Sequence, residues 1–206
     1  MKLRRIPKRV CLFLSIIALS FLLSNSARMD LPVRTRPIII SIVPKSLDNP
    51  MYVEVKEAAE LAARQQNVVL EWVGPFKVDV DTQIRIIEGL IRRKVDGIAV
   101  CCSDEDRLNE VIDKAIAAGI KVATFGSDAP QSNRLFYCGT DNYKAGVECG
   151  RAMVKIVNER GWTDRQLNTV ILTGGLNAHN LKERIRGFKE ATAGRINLNY
   201  QAVLTC

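Results

Sequence analysis

At 206 residues, 47% apolar and 25% charged, the chain has the composition of a globular protein long enough to bury one large core or two small ones, not of a disordered polypeptide. Its formal charge of +8 is unevenly placed: five of the thirty basic residues stand in the first 27 positions, which hold no acid, so residues 28–206 keep 25 basic against 22 acidic side chains. A remaining excess of three positive charges excludes a charge-driven nucleic-acid binder.

The first segment, 1–27, reads as a secretory signal. Lys2, Arg4, Arg5, Lys8 and Arg9 form a basic head, residues 10–23 an apolar middle, and Ser24-Asn25-Ser26-Ala27 a small polar end. The middle falls short of the ~20 residues that cross a bilayer, so cleavage near Ala27 is expected rather than a permanent anchor. Cys11 lies inside this segment, not behind a small-residue cleavage site, and gives no sign of a lipid anchor. Past it stand Cys101, Cys102, Cys138, Cys149 and Cys206, an odd number at irregular spacing that makes no disulfide framework. The vicinal pair Cys101-Cys102 lacks the two-residue gap of metal and redox motifs, so no metal is expected there.

From Pro37 onward, apolar runs of strand length alternate with segments of helical period. Strands are expected at 38–43, 68–73, 97–101, 121–125, 135–138, 169–172 and 198–204. Helices carry apolar stripes at three- and four-residue spacing: Ile84, Ile87 and Ile91; Leu108, Val111, Ile112 and Ala115; Ala145, Cys149, Ala152, Met153 and Ile156; Leu181, Ile185 and Phe188. Asn49 before Pro50 predicts a cap followed by proline in the first turn. Ser103 with Asp106 three residues on resembles a capping box, and Gly119 and Gly194 stand where helices should stop. Such alternation implies parallel strands joined by right-handed crossovers, a doubly wound α/β layer with helices on both faces. Five strands complete one sheet. After "GTDNYKAG" a second begins, giving an amino-terminal lobe over 35–140 and a carboxy-terminal lobe over 141–206 that two strands and two helices leave incomplete. An early-stopped product with weak or no binding is therefore one reading of the chain.

In a doubly wound sheet, ligands bind beyond the carboxyl ends of the strands, where helix amino termini also point. Four segments lie there, and all are polar: Lys45 to Tyr52, Cys101 to Asp104, Gly126 to Asp128 and Gly174 to Lys182. "KSLDNPMY" alone offers a cation, a hydroxyl, a carboxylate, an amide and an aromatic ring, a set suited to a neutral polyhydroxylated ligand whose hydroxyls both donate and accept. Catalytic patterns are missing: the sequence has no GxxxxGK[ST], GxSxG, HExxH or GxGxxG, and one histidine, His179, expected near a helix start. No enzyme activity and no cofactor are expected.

In order, "SLDNPMY", "DGIAVCCSDEDRL", "AGIKVATFGSDAP", "YCGTDNYKAG" and "LTGGLNAHNLKERIRGFKEA" resemble the ribose-type periplasmic sugar-binding proteins, the substrate-binding subunits of ATP-driven sugar importers. The likeness runs over 37–191. It implies two α/β lobes joined by a hinge that close on a sugar, in a periplasmic, monomeric protein that binds without chemistry. Its partners would be importer membrane subunits or a sensor protein. By the resemblance, Asn49, Met51 and Tyr52 match first-loop residues that touch the sugar, Cys101 a polar residue after the third strand, and Gly126 and Ser127 an acidic–basic pair after the fourth. Lys182 matches an arginine of the second lobe, and Asp141 and Asn142 fall at the first hinge crossing. Met51, Cys101 and Gly126 depart from the usual aromatic, polar and carboxylate groups, while Asp128 stands beside the lost carboxylate. The expected ligand set is therefore Lys45, Asp48, Asn49, Met51, Tyr52, Cys101, Ser127, Asp128 and Lys182, with Lys45 favouring an acidic ligand.

Overall fold

The computed structural model describes residues 36–205, so the expected signal at 1–27 lies outside the described residues. The run Ile39–Val43 forms β1, an inner strand of a sheet that β2 (Val69–Trp72), β3 (Gly97–Val100), β4 (Lys121–Phe125) and β5 (Tyr137–Cys138) complete in the order β2-β1-β3-β4-β5. Every pairing is parallel, with Ile40 opposite Leu70 on one side and Gly97 on the other. Val43, Ile98 and Val100 are buried, as a sheet covered on both faces requires. This is the expected α/β layer.

Helices α1 (Met51–Gln66), α2 (Val80–Arg93) and α3 (Asn109–Ala117) connect the strands. The stripe on α2 works as its spacing predicts: Ile87 is buried, and Ile84 and Ile91 pack against the same core as Leu108, Val111, Ile112 and Ala115. Asn49 Oδ1 accepts the Met51 amide at 3.0 Å and so caps α1, though the helix proper starts one residue after the expected proline. Ser103 does not cap α3. The start of α3 at Leu108 carries no side-chain cap; Asp104 instead caps the turn before it, its carboxylate accepting the Asp106 and Arg107 amides at 3.0 and 2.9 Å, while Ser103 is turned toward α2. The amides open a turn before α3, one position later than a Ser103 cap would place it. Gly119 and Gly194 stop their helices with φ of +86° and +68°.

The second layer is a two-stranded parallel sheet, β6 (Gln166–Thr173) beside β7 (Asn197–Thr205), with α4 (Asn142–Glu159) and α5 (His179–Thr192). β6 starts three residues before the expected boundary, because Gln166, Leu167 and Asn168 find partners in Asn197, Leu198 and Asn199. Asn199 and Gln201 also each donate a side-chain N–H to Asn168 Oδ1 at 3.1 Å, which makes a polar stretch a viable strand. Val170, Leu172 and Leu204 remain exposed on this sheet.

Helices α4 and α5 meet without room for a side chain. A Cβ at Gly146 would lie 2.1 Å from the Arg184 carbonyl oxygen, and one at Gly187 would lie 2.2 Å from that of Tyr143. Backbone cannot yield as a side-chain tip can, so Gly146→Ala or Gly187→Ala is expected to cost about 3 kcal/mol in urea unfolding. Gly161→Ala, next to open space but at φ +64°, should cost only ~1 kcal/mol, from backbone strain.

Candidate functional site

The strand order reverses between β1 and β3: the chain leaves β1 toward β2 and returns on the opposite side. The loops after β1, β3 and β4 consequently open into one crevice at the carboxyl ends of the strands. They are tied by a residue the sequence did not single out. Gln83 of α2 is fully buried, donates Nε2 to the carbonyls of Pro44 at 3.1 Å and Cys101 at 2.9 Å, and accepts from Ser103 N at 3.2 Å and Ser103 Oγ at 2.7 Å. Its signal was a polar residue one position before the apolar stripe of an amphipathic helix. That pattern alone reads as a boundary position.

Around this knot four expected site residues come together. Tyr52 is 5% exposed and donates its hydroxyl to Cys101 Sγ at 3.3 Å; the Lys45 backbone N–H reaches the same hydroxyl, and the Lys45 amine faces Cys101 and Cys102. The Cys102 amide donates to the Ser127 carbonyl at 3.1 Å, joining the third and fourth strand ends. Ser127 is itself fully buried, and its hydroxyl has no hydrogen-bond partner among the protein groups. Burial sets the chemistry here. It pushes the Tyr52 hydroxyl and the Cys101 and Cys102 thiols up, so all three stay protonated at neutral pH, and it pushes the Lys45 amine down against the opposing pull of the two cysteines. Tyr52, Cys101 and Cys102 thus stand as neutral donors beside the Lys45 amine.

The other expected residues lie elsewhere. Asp48, Asn49 and Met51 are on the exposed rim, Met51 60% exposed and Asn49 occupied with its helix cap. Lys182 of α5 points at Glu105 across the crevice, with Nζ 2.6 Å from Oε1, and His179 Nδ1 contacts the other oxygen of that carboxylate. Lys45 Nζ crosses in the opposite sense to Asn180 Oδ1 at 3.0 Å.

Asp128 is 5% exposed and takes Arg134 Nε and Nη2 at 2.5 Å each, Thr124 Oγ1 at 2.5 Å and the Ala129 amide at 2.8 Å. It also lines a hollow of about 350 Å³ with Tyr137, Thr140, Asp141, Asn142, His179 and Glu183. Asp141 caps α4 by accepting the Lys144 amide at 3.0 Å. Asn142 is buried at the crossing between sheets: it donates to Tyr137 Oη at 3.2 Å and to the Thr140 carbonyl at 3.0 Å, and accepts Arg184 Nε at 2.8 Å. A larger, apolar hollow of about 480 Å³ lies away from these loops, between β6, α4 and α5.

Two parallel sheets crossed by the chain, with polar loops meeting at one strand edge, define a doubly wound α/β fold of the binding-protein type. Residues 40–205 match the periplasmic binding protein domain, and the chain belongs to that family. The D-ribose/D-allose-binding protein of Pseudomonas aeruginosa is 27% identical over 184 residues, 84% of this chain and 54% of that one. A solute-binding protein of Burkholderia graminis, solved with D-arabinose, shares 34% identity at a TM-score of 0.75, across 84% of this chain and 57% of that one. GanP of Geobacillus stearothermophilus, a glucose-galactose binding protein, shares 33% at 0.74, across 82% and 59%. The chain thus spans a little over half the length of these relatives.

The ion pair of Asp128 has a stability signature. Burial alone would raise this carboxyl, but the bonds from Arg134, Thr124 and Ala129 outweigh it and hold the group below the ordinary carboxylate value. A depressed carboxyl contributes stability above its unfolded pKa of about 3.9 and loses it as pH falls through the lower folded value. Arg134→Met, which leaves the buried charge unpaired, is expected to cost roughly 2–4 kcal/mol at pH 7, and urea unfolding at pH 3 should find that difference reduced.

Proposed function

We propose that the chain is an exported solute-binding protein that captures a small polar ligand, a sugar, in the crevice above β1, β3 and β4 and serves an ATP-driven importer. The observation that carries this reading is the convergence of Lys45, Tyr52, Cys101 and Ser127 at the point of strand-order reversal. A buried hydroxyl without a partner costs about 1–3 kcal/mol, and a sugar hydroxyl, which both donates and accepts, answers the Ser127 Oγ. Binding without catalysis fits the same chemistry, since thiols and a phenol kept protonated by burial are poor nucleophiles. Asp48, Asn49 and Met51 on the rim, and Lys182 and Asp128 on the flanks, are the second tier of contacts, with Asp141 and Asn142 as the hinge about which the lobes close.

Relatives support the ligand class: several are named for ribose, allose, arabinose, glucose or galactose. A second reading, the ligand-input part of a periplasmic sensor, draws on a solved XylFII–LytSN complex whose matched chain is 31% identical to this one. In either case the location is the periplasm and the working unit a monomer.

Isothermal titration against a panel of pentoses and hexoses is expected to find at least one binder with a Kd in the micromolar range, about −8 kcal/mol. Ser127→Ala should weaken that binding by about fivefold to tenfold while leaving thermal stability unchanged or raised, because the lost hydroxyl has no protein partner. A folded protein silent across the panel would remove the sugar ligand.

A further inference from the structure

We propose that Glu105 is an interlobe latch, a residue outside the ligand set that fixes how far the crevice closes and thereby sets ligand affinity. The residue belongs to the first layer, in the loop between β3 and α3, and its hydrogen-bond and ion-pair partners among the described residues belong to the second. Its Oε1 accepts Lys182 Nζ at 2.6 Å, its Oε2 meets His179 Nδ1, and its backbone N–H donates to the Asn177 carbonyl at 3.2 Å. These contacts converge on the first turn of α5 and the residues just before it. The Glu105 side chain is only 16% exposed, against 27% for His179 and 41% for Lys182, so the carboxylate sits on the sheltered side of the contact, where water screens it least.

The loop that carries Glu105 is not free to drift. Asp104, one residue before it, is buried and accepts the Asp106 and Arg107 amides, and Ser103 is held by Gln83 through two hydrogen bonds. A rigid loop thus presents one carboxylate to two nitrogen-bearing side chains on a helix of the opposite layer. Asp106 adds a weaker attraction, 3.8 Å from Lys182. Opening the crevice breaks all of these contacts together, whereas it need not disturb the Asn142–Arg184 bond at the crossing, where the layers stay joined. The apparent affinity of a protein that binds in its closed form scales with the closed fraction. A residue that holds the lobes together therefore tightens binding without touching the ligand.

The inference depends on the two layers separating to admit a solute, and not on which solute enters. Its test uses the full chain without added sugar. Amide exchange at position 105 by NMR reports the bond to Asn177, and small-angle scattering reports the radius of gyration. Glu105→Gln and Lys182→Met should each lower protection of that amide by about fivefold and raise the radius of gyration, an exposed-pair effect of the usual size. Raising salt toward 1 M should move the wild type the same way. The charge-swapped pair Glu105→Lys with Lys182→Glu should recover at least half of the lost protection. If Glu105→Gln fails to fold by circular dichroism, Lys182→Met, at a half-exposed position, decides alone. Unchanged protection and size in the single variants, or a folded swap that recovers nothing, overturns the latch. Titration with whichever sugar binds should then show Glu105→Gln weakened by the same factor as its protection. A panel without any binder removes the sugar reading and leaves the latch to be judged by exchange and scattering.

Discussion

A parallel sheet whose loops meet at its carboxyl edge must bring them together out of water, and each loop arrives with carbonyls and amides that need partners. One buried amide side chain meets that demand here. Gln83 spends both hydrogens on the carbonyls of Pro44 and Cys101 and its oxygen on Ser103, so the loops after β1 and β3 are held by a helix lying beneath both. A hydrocarbon of the same shape would leave two carbonyls and an amide stranded, and a carboxylate would face the carbonyls with no proton to give. The positions of Lys45 and Cys101 follow from this knot, because each is at or beside an atom it fixes, and Tyr52 is drawn in through its hydroxyl on Cys101.

Two linkages then join the layers, and they differ in kind. At the crossing, Asn142 receives Arg184 while donating toward Tyr137 and Thr140, and Tyr137 in turn donates to the Gly126 carbonyl at 3.2 Å. That relay is made of neutral groups and one guanidinium around a buried amide, and it runs from the second layer to the loop after β4. The contact at Glu105 is ionic, partly exposed and composed of side chains with many rotamers. The first is suited to a pivot that persists through motion. The second is suited to forming and breaking, since His179 and Lys182 reach the carboxylate from its more exposed side and are easily rehydrated.

The strands, their parallel arrangement and the two-sheet division were legible because they rest on period and on apolar continuity, both local in sequence. Ile87 and Ile112 were placed in the core for that reason, and Asn49, Gly119 and Gly194 were recognised as helix boundaries by backbone chemistry. The site was legible only in outline. Polar loops at the strand ends named Lys45, Tyr52, Cys101 and Ser127, but nothing local distinguishes Tyr52, turned in to Cys101, from Met51 beside it, turned out to solvent. Asp128 was named in the ligand set, yet its carboxylate is committed to Arg134, six residues ahead, through a turn whose geometry no motif encodes. Gln83, Glu105 and Arg184 were missed because their partners lie 18 to 77 residues away, at separations where sequence pattern carries no signal.

The second layer shows what such long-range contacts contribute. Two strands bury little by themselves, and Val170, Leu172 and Leu204 stand exposed on this sheet while α4 and α5 lock to each other through glycines. Local packing orders the helix pair firmly and the strand pair less so. What sets the helix pair against the first layer is therefore polar: Asn142, steadied by Arg184, on Tyr137 and Thr140 at the start of α4, and His179, Asn180 and Lys182 on Glu105 and Lys45 at the start of α5. An apolar interface would bind more strongly but resist water whenever the crevice opened. Polar contacts lose little on hydration, so an interface built from them suits the opening that the proposed capture of a solute would require.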